Sequence, residues 1–232
     1  MDECSLAYWR ESSTPMYFRG PFLPFLRSSP ENGILFVLKL TNFATRRFSG
    51  EDRRLVVRVD GEARKWLGDT RVFQWPQGWS MSDGSLVESA LMALERWLYE
   101  LMDAGVAIDP WVERIMRESE SLAFASLLIE VGKRAPSLFS GVLKPLLHVW
   151  ELWDLDMQLV GQRLNGTMSL CPWTVSESPQ LIALARDWYE MSSRRLWTAI
   201  CPPTIKRLTR STRKHLLRAT PCTLSGIRSM RR

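Results

Sequence analysis

Apolar side chains recur at helical intervals through the middle of the chain. Leu91, Leu94, Trp97, Leu98, Leu101 and Met102 fall three or four residues apart and stop at Gly105, which predicts one amphipathic helix. Ser85-Leu86-Val87-Glu88 has capping-box form at its start. Asp109-Pro110 predicts a second helix, with Asp as cap and Pro where a missing N–H is harmless, running through Trp111, Ile115 and Met116 to about Ser119. A third, over 122–133, is almost wholly apolar and is expected at the centre of the fold. Pro136-Ser137 should break it and cap a fourth helix over about 138–147, and 150–164 gives a fifth. Short connections between helices favour antiparallel neighbours.

The pattern is less regular upstream. Pro15, Gly20, Pro21, Pro24 and Pro30 punctuate residues 1–32, so a helical turn around Phe22-Leu23 and Phe25-Leu26 is the most expected there. The run from Gly33 to Leu40 could open as a buried strand. Its continuation through Phe43 to Arg46-Arg47, followed by Ser49-Gly50, favours a helix closed by basic residues and glycine. In 54–67, Leu55, Val57 and Val59 alternate with Val56, Arg58 and Asp60, and Asp60-Gly61 supplies a hairpin turn. Two strands alone are marginal in water, so this hairpin should pack on a neighbour or pair with Arg71-Val72-Phe73.

The expected fold is mainly α, a helical bundle or HEAT-like solenoid with one β-hairpin at about 54–67. No fixed-period repeat decides between bundle and solenoid. The expected divisions are 1–82 (irregular opening, one helix, hairpin), 83–200 (helical domain, with 181–197 a further amphipathic segment) and 201–232. The last is rich in Arg, Ser, Thr and Pro and is expected to be a disordered basic tail.

Charge sharpens the division. The net charge of +6 is an average over two unlike parts. Residues 194–232 hold 11 Lys/Arg and no acid, whereas the preceding chain has 20 basic and 25 acidic groups. Arguments about acidic partners therefore belong to the tail, with Arg207, Arg210, Arg213 and Lys214 as candidate contacts to phosphate. The tail could also lie on an anionic membrane surface, or be passive sequence of the kind a shifted reading frame yields. No apolar run reaches the ~20 residues of a transmembrane helix. The acidic opening Met1-Asp2-Glu3-Cys4 is unlike a secretory signal, and four dispersed cysteines suit a reduced, cytoplasmic protein.

Candidate chemistry is sparse. The sequence contains no G-x-x-x-x-G-K, G-x-G-x-x-G or G-x-S-x-G, and no cofactor is expected. His148 and His215 are the only histidines. A His148–Glu151 pair is one helical turn apart, but acid–base work would also need a nucleophile and an oxyanion donor. An ordinary histidine on a helix end is the simpler reading. Glu88, Glu95, Glu100, Glu113, Glu118 and Glu120 are spaced like a solvated face, with Glu113–Arg117 an i,i+4 pair. Eleven tryptophans are many for this length. Trp97, Trp111, Trp150, Trp153 and Trp188 are expected to fill gaps between helices. Trp75 and Trp79, with Trp66, are candidates for an exposed aromatic interaction patch.

Within 84–154, the segments VESALMALERWLYELMDAG, DPWVERIMRES, SLAFASLLIEVGK and LFSGVLKPLL resemble helical segments of very large prokaryotic multidomain ATPases of the STAND type. In that family the nucleotide site lies in a separate P-loop domain, and the resemblance includes no catalytic motif. It implies a fragment of scaffold or sensor region, whose partner is the rest of a larger polypeptide. The expectation is a non-catalytic interaction module, and the alternative a nucleic-acid-binding protein acting through 194–232.

Overall fold

The computed structural model describes residues 15–48, 54–59, 61–75 and 85–164, with the isolated positions 180, 183 and 184. In chain order the elements are α1 (Phe22–Ser28), α2 (Pro30–Phe48), β1 (Arg54–Val59), β2 (Glu62–Leu67), α3 (Thr70–Phe73), α4 (Ser85–Asp103), α5 (Asp109–Glu118), α6 (Leu122–Arg134) and α7 (Trp150–Leu164). Two 3-10 segments, Pro136–Ser140 and Lys144–His148, lie between α6 and α7. The described chain is thus mainly helical with a single two-stranded antiparallel hairpin.

Every residue of α6 from Leu122 to Gly132 is buried, its apolar side chains and also Ser126 and Glu130. The helix starts where Ser121 Oγ accepts the Ala123 amide at 3.2 Å. Helix α4 is buried from Val87 to Tyr99 apart from half-buried Arg96, and α6 packs against it. Helices α1 and α2 also pack on α4, while α3, α5 and α7 pack on α6. Contacts that return to two central helices are those of a bundle; a solenoid stacks each repeat on its sequence neighbours. They also pack the described helices before residue 82 against those after it. Polar ties pin this long-range packing. The Met16 amide donates to Ser89 Oγ at 3.1 Å, and Thr45 Oγ1 donates to Ser121 Oγ at 2.6 Å.

The hairpin pairs Leu55 with Trp66, Val57 with Arg64 and Val59 with Glu62. Gly61 sits in its turn with φ +84°, a conformation costly for a residue with a Cβ. The inward side chains Val57, Val59 and Trp66 are buried. Pairing continues at one end, where the Leu67 amide donates to the Glu120 carbonyl at 2.6 Å.

Three local expectations are corrected. Residues 71–73 are helical, not a strand: Asp69 Oδ1 accepts the amides of Arg71 (2.9 Å) and Val72 (3.1 Å) and starts a turn. Helix α5 begins at Asp109 itself, behind Ile108, whose side chain makes no cap. The expected fourth α-helix is two 3-10 segments, because Pro136, Gly141 and Pro145 leave too few consecutive donors for α-type bonding.

A buried ion cluster joins α6 to α7. Lys133 Nζ lies 2.8 Å from Glu130 Oε1 and 2.7 Å from Asp156 Oδ1, with the lysine side chain 6% exposed. Removing one partner of such a pair leaves an uncompensated buried charge. Lys133→Met is therefore expected to cost about 3–5 kcal/mol in urea unfolding. The change should be smaller in Glu130→Gln/Lys133→Met/Asp156→Asn, and equal losses would contradict the pairing. Gly132 is a second tight point. A Cβ there would stand 2.5 Å from Phe139 Cζ and 2.9 Å from Leu143 Cδ1. Gly132→Ala should lower stability by roughly 1–3 kcal/mol despite alanine's better helix propensity, measured by the thermal midpoint.

Candidate interaction surface

Helix α2 has more apolar residues than one buried face can hold. Ile34, Val37, Leu38 and Ala44 point inward and are buried. Phe36 and Phe43, seven residues apart on the opposite arc, are 46% and 58% exposed. Leu40 lies between them, half-buried, and Lys39 is exposed alongside. The Phe36 ring stacks on Phe22 of α1 at 6.1 Å between centroids and meets Phe25 edge-on at 6.3 Å. The ridge is thus braced from one side by α1 and open on the other.

The hairpin's outward face continues this character. Val56 faces Lys65 and Arg58 faces Ala63 across the strands, and all four are exposed. Glu120 is tied to both elements: its carboxylate is held by Arg46 of α2 and its carbonyl accepts the Leu67 amide of β2.

The residues singled out from sequence fall elsewhere. Trp75 is fully buried and donates Nε1–H to the Ala123 carbonyl at 3.1 Å. Trp66 is also fully buried, beneath the hairpin. The expected exposed patch at Trp75 is therefore corrected: the α3 turn carries the chain inward, and the indole bonds a carbonyl in the first turn of α6. Trp79, Arg207, Arg210, Arg213 and Lys214 lie outside the described residues, as do Trp188 and the tail. Trp97 and Trp153 do fill the interior, and Trp97 meets half-buried Trp111 edge-on at 5.5 Å. His148 is exposed at the end of its 3-10 segment, and Glu151 is exposed as well.

The acidic residues divide by depth. Glu118 is exposed and Glu113 half-buried, and they pair with Arg114 and Arg117, as a solvated face requires. Glu88 and Glu95 are buried, which corrects their placement on that face. Tyr99 donates its hydroxyl to Glu95 Oε1 at 2.6 Å, and the Arg134 guanidinium lies 4.7 Å from the Tyr99 ring centroid. Glu100 receives Arg27 of α1 on both carboxylate oxygens (2.9 and 2.6 Å) and Arg96 at 3.0 Å. Burial pushes the Glu100 carboxyl up, but the two guanidiniums outweigh burial and hold it below the ordinary range. These contacts neutralise charge inside the bundle and tie α1 to α4. Among the described residues no three His, Cys, Asp or Glu side chains gather as a metal site.

Two measurements separate surface from core. Trp75→Ala should cost about 3–5 kcal/mol of unfolding free energy, whereas Phe43→Ser should change it by less than about 0.5 kcal/mol. A carboxylate with a depressed folded-state pKa contributes stability above its unfolded pKa, and loses it as pH falls through the folded value. Glu100→Gln should thus destabilise by roughly 1 kcal/mol at neutral pH, and the gap from wild type should close in acid. A gap independent of pH would contradict the ion-pair assignment.

No protein-family model matches the chain, and no curated protein matches it.

Proposed function

We propose that this chain is a helical, non-catalytic protein–protein interaction module, needing no cofactor, whose partner is another protein or the remainder of a larger polypeptide. The observation that supports this is the exposed aromatic ridge of α2, Phe36 and Phe43, on a helix whose opposite face already fills the core. Aromatic side chains left in water beside cations are characteristic of binding surfaces, where they lose that exposure on association. The resemblance of the 84–154 segments to STAND-type scaffold helices points the same way. Four dispersed cysteines suit a reduced compartment, the cytoplasm. No helix among the described residues is long and apolar enough to cross a membrane.

The second reading is nucleic-acid binding through 194–232, and it rests on the 11 basic residues and absent acids of that segment. The two readings respond oppositely to salt and truncation. Affinity capture from lysate would use the wild type, Phe43→Asp, and a chain ended after Tyr189, each at low and high salt. A module acting through α2 retains one protein partner on truncation and in high salt, and loses it with Phe43→Asp. Bound nucleic acid that is released by salt and missing after truncation would replace this reading with the second.

A further inference from the structure

The junction between α5 and α6 is a short piece of strand. Ser119 (φ −77°, ψ 144°) and Ser121 (φ −114°, ψ 135°) are both extended, between two helices. Strand β2 pairs with it in parallel: Leu67 bridges Ser121, and the Leu67 amide donates to the Glu120 carbonyl. In a parallel ladder the next rung lies two residues back on both strands, which puts Lys65 opposite Ser119. There the Lys65 amide would donate to the Glu118 carbonyl, and the Lys65 carbonyl would accept the Glu120 amide. Those two groups are already taken. Asn42 Nδ2 of α2 donates to the Glu118 carbonyl at 3.1 Å, and Asn42 Oδ1 accepts the Glu120 amide at 3.0 Å. A side-chain amide carries the donor and acceptor of a peptide group, so Asn42 fills the place of a strand residue.

Lys65 is left with its backbone groups on the same edge of β2 as those of Leu67, since residues two apart on a strand direct them the same way. Among the described residues, no backbone group pairs with Lys65 on that edge, and the residue is exposed. The ladder stops after one rung because α2 occupies the second. The other ties of α2 to the junction, Thr45 to Ser121 Oγ and Arg46 to the Glu120 carboxylate, use side chains and leave those two backbone groups alone. We infer that the α5–α6 junction is a latch with two alternative partners. Asn42 holds its edge while α2 is seated, and Lys65 of β2 takes the same two groups when Asn42 withdraws. The exchange stops at one added rung, because the residue opposite Ala63 would be Arg117, inside α5. Phe43 of the exposed ridge follows Asn42 in the chain, so a partner that lifts α2 there would draw the hairpin onto the junction.

The test is amide hydrogen exchange, resolved by residue, on the full-length chain. In the wild type the Lys65 amide should exchange about as fast as that of Ala63, and at least about tenfold faster than that of Leu67. In Asn42→Ala the Lys65 amide should slow about tenfold or more, with Ala63 unchanged and the Glu120 amide still protected. Asn42→Ser, whose hydroxyl is too short to span both backbone groups, is the second variant and should act in the same direction. Asn42 is only half-buried, and circular dichroism checks that both variants fold. A wild-type Lys65 amide as slow as that of Leu67 would overturn the inference without any substitution. A Glu120 amide that becomes fast in Asn42→Ala while Lys65 stays fast would overturn it too, because water would then have replaced Asn42. Equal slowing of Ala63 and Lys65 would do the same, as that reports general burial of the edge and not a new rung.

Discussion

Helix α6 is buried on every side over most of its length, and much of the described fold serves to cover it. Leu122 to Gly132 are all buried, so neighbours are needed on every side of the helix. Helices α4 and α5 pack along it, α3 and Trp75 cover the N-terminal turn, and α7 with the first 3-10 segment covers the other end. Close packing then leaves little tolerance at the contacts: Phe139 and Leu143 occupy the space beside Gly132. The buried charges obey the same constraint. Glu130, Lys133 and Asp156 are buried together, and the lysine pairs with both carboxylates across the α6–α7 contact.

Helices α1 and α2 are held to this centre by specific polar contacts as well as by apolar burial. Arg27 grips Glu100, Asn42 donates to the Glu118 carbonyl and accepts the Glu120 amide, and Thr45 bonds Ser121. Each tie spans more than 70 residues of sequence. They fix the rotation of α2 about its axis, and that rotation decides which aromatics face outward. With Thr41, Ala44 and Thr45 turned inward, Phe36 and Phe43 must point to solvent.

Helical periodicity made α2, α4, α5, α6 and α7 legible, and strict alternation plus Asp60-Gly61 made the hairpin legible, because each signal is local and repeated. What could not be read depends on contacts between distant residues. Glu88 and Glu95 have the spacing of solvated residues, and their burial is decided by what packs over α4. Trp75 sits in an aromatic stretch that looks like a surface loop, and its depth depends on α6, 48 residues later. The α2 ridge did leave a trace: Ile34, Leu35, Phe36, Val37, Leu38, Leu40 and Phe43 are too many apolar residues for a helix with one buried face. That surplus is the same signal which makes α6 central, and the polar residues Glu31, Asn32, Lys39 and Asn42 along α2 set it apart.

The account depends most on α6 being enclosed from all sides, with α4 packed along it. Native-state hydrogen exchange, resolved by residue, addresses this directly. Amides in the middle of α6 and α4 should exchange only through global unfolding, with the slowest rates in the chain, while those of the hairpin and the 3-10 segments exchange through smaller openings. Amides from Phe124 to Val131 that exchange as fast as those of β1 would contradict it.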